Sequence, residues 1–210
     1  MEDKVTLFGK CAHNLSPNVE SILRDTEWSS EPPLDFFVGY AGCNLTSLEC
    51  LVEEGEINVE DVALTLANLV EVGMAGAAHL LGMKDKVSRL ANQMTDLYAR
   101  KNRDYGNSFD KSMDKFGLVV AAIRIGDKVN RLQSLVAKRG EAEVKDESIA
   151  DTFMDLACYS IMTMMWLYNK EKDIIHFPDD IEIVFTEQPP KHNASPEEIQ
   201  RIKKDYGIQD

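Results

Sequence analysis

Basic residues are in the minority in this chain of 210 residues, which has 23 lysines and arginines against 36 aspartates and glutamates. A net charge of −13 repels the phosphate backbone of DNA and RNA, so we do not expect a protein that coats nucleic acid. A small anionic ligand is compatible with this charge, because a local cluster of Arg and Lys overrides the average field. The hydrophobic fraction of 44% predicts a folded globular protein.

Cysteine is scarce too, and none of the four cysteines belongs to a C-x-x-C pair. Their spacing matches no zinc finger or ribbon. The N-terminus, Met1-Glu-Asp-Lys, lacks the basic-then-apolar pattern of a signal peptide. We therefore expect reduced thiols in a cytoplasmic protein, located in the host cytoplasm if the chain is viral.

Long apolar runs are few, and the one that resembles a membrane span covers residues 62–82. It contains Asn68, Glu71 and His79, and its many Ala and Gly residues make it only weakly apolar. Charges inside a bilayer cost several kcal/mol each. We interpret this run as a buried helix of a bundle and expect no membrane partner.

The hydrophobic periodicity predicts an all-α fold with a four-helix bundle core. The four helices are expected at about 58–81, 85–103, 112–138 and 148–169, with Asn58 as a cap and Gly106 as a stop. Residues 1–57 contain several Pro and Gly, so we expect an irregular segment of short helices, with an extended stretch at 35–40. Residues 171–210 are expected to form a C-terminal arm, with an extended segment at 181–185 and a short helix from Ser195.

Three polar patches in the second half of the chain carry the candidate chemistry. The first, KNRDYGNSF, ends the second predicted helix and contains Lys101, Asp104, Tyr105, Ser108 and Phe109. The second, RIGDKVNR, lies on the third predicted helix and contains Arg124, Asp127, Lys128 and Arg131. The third, ESIADTFMDLACY, lies on the fourth and contains Glu147, Asp151 and Asp155.

Helix geometry places the charged residues of the second patch on one helix face, and those of the third patch along one ridge. At 100° per residue, the four charged side chains of the second patch fall within roughly a 100° sector of one face. Three cations there favour an anion, and phosphate is the usual one. The three carboxylates of the third patch step by four residues toward a face that becomes apolar. A carboxylate on such a face needs a partner, and Mg²⁺ takes carboxylate and phosphate oxygens together.

Each patch also has a purely structural interpretation. Asp151 follows Ser148 by three residues, which is the spacing of a capping box. Asp155 is placed to form a buried salt bridge with Arg124 or Lys128. The basic residues alone are typical of a solvated face, and Asp104-Tyr105-Gly106 is typical of a helix stop.

The three patches, taken in this order, resemble the nucleotide-modification-associated domain family, first type, found in phages and bacteria. The resemblance covers about residues 90–168. That family is regarded as similar to the MazG-like all-α nucleoside-triphosphate pyrophosphohydrolases, which bind Mg²⁺ through acidic residues on two neighbouring helices and cleave between the α- and β-phosphates. The resemblance implies that Asp151 and Asp155 occupy the second acidic pair, with Glu147 one turn earlier. The first pair, E-x-x-E on the preceding helix, is absent here, where only Asp127 is acidic.

Three functions follow from these observations. The first is a Mg²⁺-dependent nucleotide phosphohydrolase that acts on a small-molecule nucleotide, with modified deoxynucleotides as a possible class. Its metal ligands are Glu147, Asp151 and Asp155, and one of these or Asp127 positions the water. The cations that neutralise the phosphate charge are Lys101, Arg124, Lys128 and Arg131. The base stacks on the ring of Tyr105 or Phe109. The second is a module that binds a nucleotide without turnover, and the third is a structural bundle. We also expect a homodimer or higher homo-oligomer.

Overall fold

Helices account for nearly all of the chain that a computed structural model describes, which comprises residues 3–24, 34–53, 58–137 and 148–170. These residues form seven helices and belong to one compact unit, residues 1–179. The all-α prediction is confirmed. The helices are α1 (Lys4–Arg24), α2 (Leu34–Glu53), α3 (Val59–Leu80), α4 (Val87–Tyr105), α5 (Ser108–Phe116), α6 (Val119–Ala137) and α7 (Ile149–Lys170).

The centre of the fold is α3, which contacts α1, α2, α4 and α7. Asn58 caps it as predicted, since its side chain accepts hydrogen bonds from the backbone N–H groups of Glu60 and Asp61. This helix is long and apolar enough to cross a membrane by length and composition, but 78% of its most apolar 18-residue stretch is buried inside the fold. Its position as the core helix therefore accounts for its apolar sequence, as expected.

The tightest helix contact joins α3 to α7 through two glycines. A Cβ atom at Gly73 would lie 2.9 Å from the backbone nitrogen of Ala157 and 2.9 Å from the carbonyl oxygen of Phe153. A Cβ atom at Gly76 would lie 2.6 Å from the Phe153 ring. The two helices approach closely because these positions have no side chain.

The N-terminal segment differs from the expectation of short helices. The 21 residues of α1 form one helix that contains Pro17, and the stretch at 35–40, expected to be extended, lies inside the 20-residue α2. Apolar residues recur along α1 at helical spacing and are buried against α3 and α4. Packing of this face outweighs the cost of a proline inside a helix, about 3 kcal/mol.

The third predicted helix is in fact two helices. Gly117 adopts a left-handed backbone conformation, with φ of 69°, and separates α5 from α6. The preceding junction is left-handed as well, because Gly106 and Asn107 have φ values of 56° and 58°. The nine-residue α5 therefore lies between two left-handed junctions.

Several expectations fall on residues outside the described ranges. These are the extended segment at 181–185, the helix from Ser195 and the position of Glu147. Residues 171–210 as a whole also lie outside them.

Candidate functional site

A cavity of about 200 Å³ lies where α4, α5 and α7 meet. We call it the crevice, and its walls combine cationic, anionic and aromatic side chains. The lining residues are Leu97, Tyr98, Lys101, Asn102, Tyr105, Ser108, Phe109, Asp155, Cys158, Tyr159 and Met162. The α4 contribution recurs at steps of three and four residues, so it comes from one helix face. The α7 residues recur at the same steps and also come from one helix face.

Asp155 is the charged centre of the crevice. Its Oδ1 atom lies 3.0 Å from Lys101 Nζ on α4, and its Oδ2 atom lies 2.9 Å from Lys128 Nζ on α6. Burial alone would raise the pKa of Asp155, but hydrogen bonds from Lys128 and Lys101 outweigh burial and leave this pKa below its ordinary value. Asp155 is therefore ionised at neutral pH, and three helices meet at its carboxylate.

Lys101 keeps its charge beside this carboxylate. Burial would lower the pKa of Lys101, yet its hydrogen bond to Asp155 and the charge of that carboxylate raise the pKa above the ordinary value. Lys128 Nζ also lies 5.9 Å from the centre of the Tyr159 ring. Lys101 thus lines the crevice beside Asp155, and Lys128 reaches the same carboxylate from α6, so that two cations meet one carboxylate in a strongly acidic chain.

Aromatic rings form another part of the wall. Phe109 and Tyr159 contact each other with ring centres 5.6 Å apart and planes tilted by 51°. Tyr98 is buried and stacks on Phe8 of α1, with ring centres 4.4 Å apart. Tyr105 is 68% exposed at the end of α4, so one face of the crevice offers a ring to an incoming planar group.

The first turn of α5 also borders the crevice, through Ser108 and Phe109. The side chain of Asn107, which precedes this helix, makes no capping hydrogen bond to it. The first N–H groups of a helix favour anions, particularly where a cation such as Lys101 is near.

Cys158 is a buried thiol in the same wall. Burial, with a smaller contribution from the charge of Asp155, raises its pKa to about 12. The thiol is therefore protonated at neutral pH, and a nucleophilic role is not expected.

One ion pair joins the second patch to the third patch. Lys128 pairs with Asp155 as predicted, whereas the alternative partner Arg124 is exposed on α6 and does not pair with it. Asp127 is exposed on the same helix, and Arg131 is half-buried one turn after Lys128. Of the predicted cations, Lys101 and Lys128 are therefore the two that meet Asp155.

The first patch is mostly at the crevice. Lys101, Tyr105, Ser108 and Phe109 all line it, whereas Asp104 is exposed on the last turn of α4 and is not part of its wall.

Asp151 has the structural role that its spacing allowed. Its Oδ2 atom accepts hydrogen bonds from the backbone N–H and the hydroxyl of Ser148, at 3.0 and 2.7 Å, and its own N–H donates to Ser148 Oγ. This is the predicted capping box at the start of α7. Within the ranges that the structure describes, no group of three or more His, Cys, Asp and Glu side chains is placed to hold a metal ion.

Sequence reasoning did not single out Asn102, Cys158 or Met162 as site residues. The signal was available, because positions 155, 158, 159 and 162 share one face of a helix by their spacing, and 98, 101, 102 and 105 share another. Which helix faces meet is a property of the tertiary packing.

Comparison with known proteins adds one finding. No curated protein and no solved structure matches the chain significantly. A family model, by contrast, matches a segment that runs from the end of α4 to the end of α7 and includes Lys101, Lys128 and Asp155. Residues 101–167 thus match the family described as nucleotide modification associated domain 1.

Proposed function

We propose that the crevice binds a nucleotide. The observation that carries this proposal is the meeting of Lys101, Lys128 and Asp155 beside a cavity that four aromatic rings line. Phosphate is the anion that paired cations recognise most often, and a base stacks on aromatic rings. The matched family is named for nucleotide modification, and the matched segment contains Lys101, Lys128 and Asp155.

The parts of the ligand have separate contacts under this proposal. Lys101 and the first turn of α5 contact the phosphate, and Tyr105, Phe109 or Tyr159 contacts the base. A cavity of about 200 Å³ lies below the range of roughly 300–1,000 Å³ typical of sites that enclose a drug-sized ligand. We therefore expect the crevice to enclose one end of a mononucleotide and to leave the other end in solvent.

A second candidate function is Mg²⁺-dependent hydrolysis of nucleoside phosphates, as the resemblance to the MazG-like enzymes suggests. The position of Asp155 beside Lys101 in the crevice favours it, because a carboxylate and a cation next to a bound phosphate are parts of such sites. The proposed metal ligands remain Asp155, Asp151 and Glu147. In the described residues, however, Lys101 and Lys128 pair with the two oxygens of Asp155, and Ser148 donates a hydrogen bond to Asp151. These carboxylates therefore fit a metal less well than the crevice fits a phosphate.

The binding proposal is tested by calorimetry with the deoxynucleoside mono-, di- and triphosphates, in EDTA and then with Mg²⁺. We expect binding in EDTA, and a loss of affinity of about tenfold or more in Lys101→Met, because a hydrogen bond between charged groups contributes about 1.5–3 kcal/mol. Lys86→Met is the matched control, since Lys86 is an exposed lysine before the other end of α4. Absence of binding to every nucleotide would contradict the proposal and favour a structural bundle.

The hydrolysis proposal needs a separate measurement. Purified protein is incubated with deoxynucleoside triphosphates and Mg²⁺, and released pyrophosphate and phosphate are measured. If the protein is a hydrolase, Asp155→Asn abolishes release, whereas Asp96→Asn, an acid on α4 outside the crevice wall, leaves it unchanged. Recovery of intact nucleotide from a protein that binds it would rule out the hydrolase and retain the binding module.

A further inference from the structure

The two lysines that share Asp155 differ in their surroundings. The Lys101 side chain is 50% exposed and lines the crevice, whereas the Lys128 side chain is 19% exposed and lies near the Tyr159 ring. The Asp155 side chain is 14% exposed. Asp155 therefore contacts one cation that is open to solvent, Lys101, and a second cation that is largely shielded from it, Lys128.

This difference makes the two ion pairs unequal. An ion pair with a half-exposed lysine contributes little net free energy, because water and salt compete for both charges. The pair with Lys128 is shielded from water, and opening it would leave a poorly solvated charge on both partners. An incoming anion therefore separates Asp155 from Lys101 much more easily than from Lys128.

We propose that Lys101 is an exchangeable cation, which pairs with Asp155 in the free protein and turns to the phosphate of a bound nucleotide. This inference rests on the proposed function of the crevice. Asp155 then competes with the ligand phosphate for the same ammonium group. Lys128 stays on Asp155 in both states and neutralises it, so that the carboxylate does not repel the bound phosphate.

The exchange has a consequence for ligand choice. A ligand must outcompete a carboxylate that is already in place, which a phosphate dianion does better than a singly charged or neutral group. The site therefore selects phosphorylated nucleosides over nucleosides, although its aromatic wall contacts the base of both.

The exchange is tested directly in the unmodified protein by NMR of the lysine side chains, in EDTA. The four deoxynucleoside monophosphates and the four deoxynucleosides are titrated in turn, and Lys101→Arg and Lys128→Arg assign the two signals. We expect the Lys101 signal to shift saturably with the monophosphates and not with the nucleosides, while the Lys128 signal changes much less. Binding seen by calorimetry with no shift of Lys101, or with equal shifts of both lysines, would overturn the exchange and leave nucleotide binding intact. Absence of binding would overturn both.

The affinity of the variant Asp155→Asn for monophosphates gives a second, independent test, because the exchange predicts tighter binding. Removal of the competing charge in Asp155→Asn should tighten monophosphate binding in EDTA by about three- to tenfold, because Lys101 no longer leaves a partner. Asp114→Asn, a surface carboxylate on α5 outside the crevice wall, changes the net charge equally and should leave the affinity unchanged. Weaker binding by Asp155→Asn, relative to that control, would overturn the exchange and indicate that Asp155 itself contacts the ligand or a metal. If Asp155→Asn does not fold, the NMR titration decides.

Discussion

Two buried carboxylates, one in the helical core and one in the crevice, show opposite behaviour. Glu71 of α3 is 3% exposed and accepts a hydrogen bond from the Asn18 amide at 3.0 Å, and burial raises its pKa to about 7. Asp155 is also largely buried, but Lys128 and Lys101 hold its pKa below the ordinary value. Nearby cations, more than burial, therefore decide which of these two acids is charged.

The same contrast applies to the two sides of α7. Phe153 and Ala157 face α3, where helix backbones nearly touch, whereas Asp155 and Tyr159 lie on the opposite side and line the crevice. One side is closed and apolar, and the other is open and polar. We therefore expect changes on the α3 side to alter stability, and changes on the crevice side to alter ligand binding.

The largest effect is expected for Glu71→Gln and depends on pH. Because folding raises the pKa of Glu71 from 4.5 to about 7, the folded state binds the proton more tightly than the unfolded state, and stability falls as pH rises through this interval. The amide removes this penalty, so the variant should be more stable than the wild type by up to about 3 kcal/mol at about pH 8 and nearly equal at about pH 4. Urea unfolding at both pH values measures it, and a difference independent of pH would contradict the comparison.

Gly73→Ala should destabilise the protein by about 2 kcal/mol, since overpacking typically costs 1–3 kcal/mol and backbone atoms of α7 leave no space for a methyl group. Gly39→Ala is the control, because nothing lies within 4 Å of a Cβ at that helical position. The control should gain about 0.5–1 kcal/mol from helix propensity. Equal stability of the two variants in urea unfolding would show that the α3–α7 contact is not tight.

Replacement of the two lysines that contact Asp155 should change the stability of the protein by different amounts. Lys128→Met should cost about 1–2 kcal/mol, because Asp155 loses its shielded partner, whereas Lys101→Met should cost less than about 1 kcal/mol. Urea unfolding of both variants provides the measurement. A greater loss in Lys101→Met would reverse the assignment of fixed and exchangeable cations.

Ser148→Ala should have a smaller effect than Lys128→Met, a loss of about 1 kcal/mol from the capping box with Asp151. Nucleotide affinity measured by calorimetry should stay unchanged, because neither residue lines the crevice. A large loss of affinity would instead assign Asp151 to the ligand site.

Local signals in the sequence predicted the features that depend on neighbouring residues. The caps of α3 and α7, the stop at Gly106 and the helix periodicity all lie within four residues of their partners. Gly117 was missed, because the apolar pattern continues across it and a left-handed conformation leaves no periodic mark. The prolines and glycines of residues 1–57 predict an irregular segment, whereas packing of the long apolar face of α1 keeps the helix intact around Pro17.

The sequence predicts one of the two contacts of Asp155 and not the other. The pairing of Lys128 with Asp155 follows from two neighbouring helices whose charged faces meet. The bond between Lys101 and Asp155 does not follow, since it depends on how α4 lies against α7, and helix periodicity contains no information on that rotation. The expected magnesium ion, self-association and cytoplasmic location stay predictions.

The left-handed junctions on either side of α5 also determine how one wall of the crevice responds to substitution. The α7 wall packs against α3 at Gly73 and Gly76, where there is no space for a side chain. The opposite wall includes Ser108 and Phe109 on a nine-residue helix that begins after Gly106–Asn107 and ends before Gly117. A larger residue at Gly106 or Gly117 has open space around its Cβ atom but a strained backbone, so its cost falls on the placement of Ser108 and Phe109 and not on the α3–α7 contact.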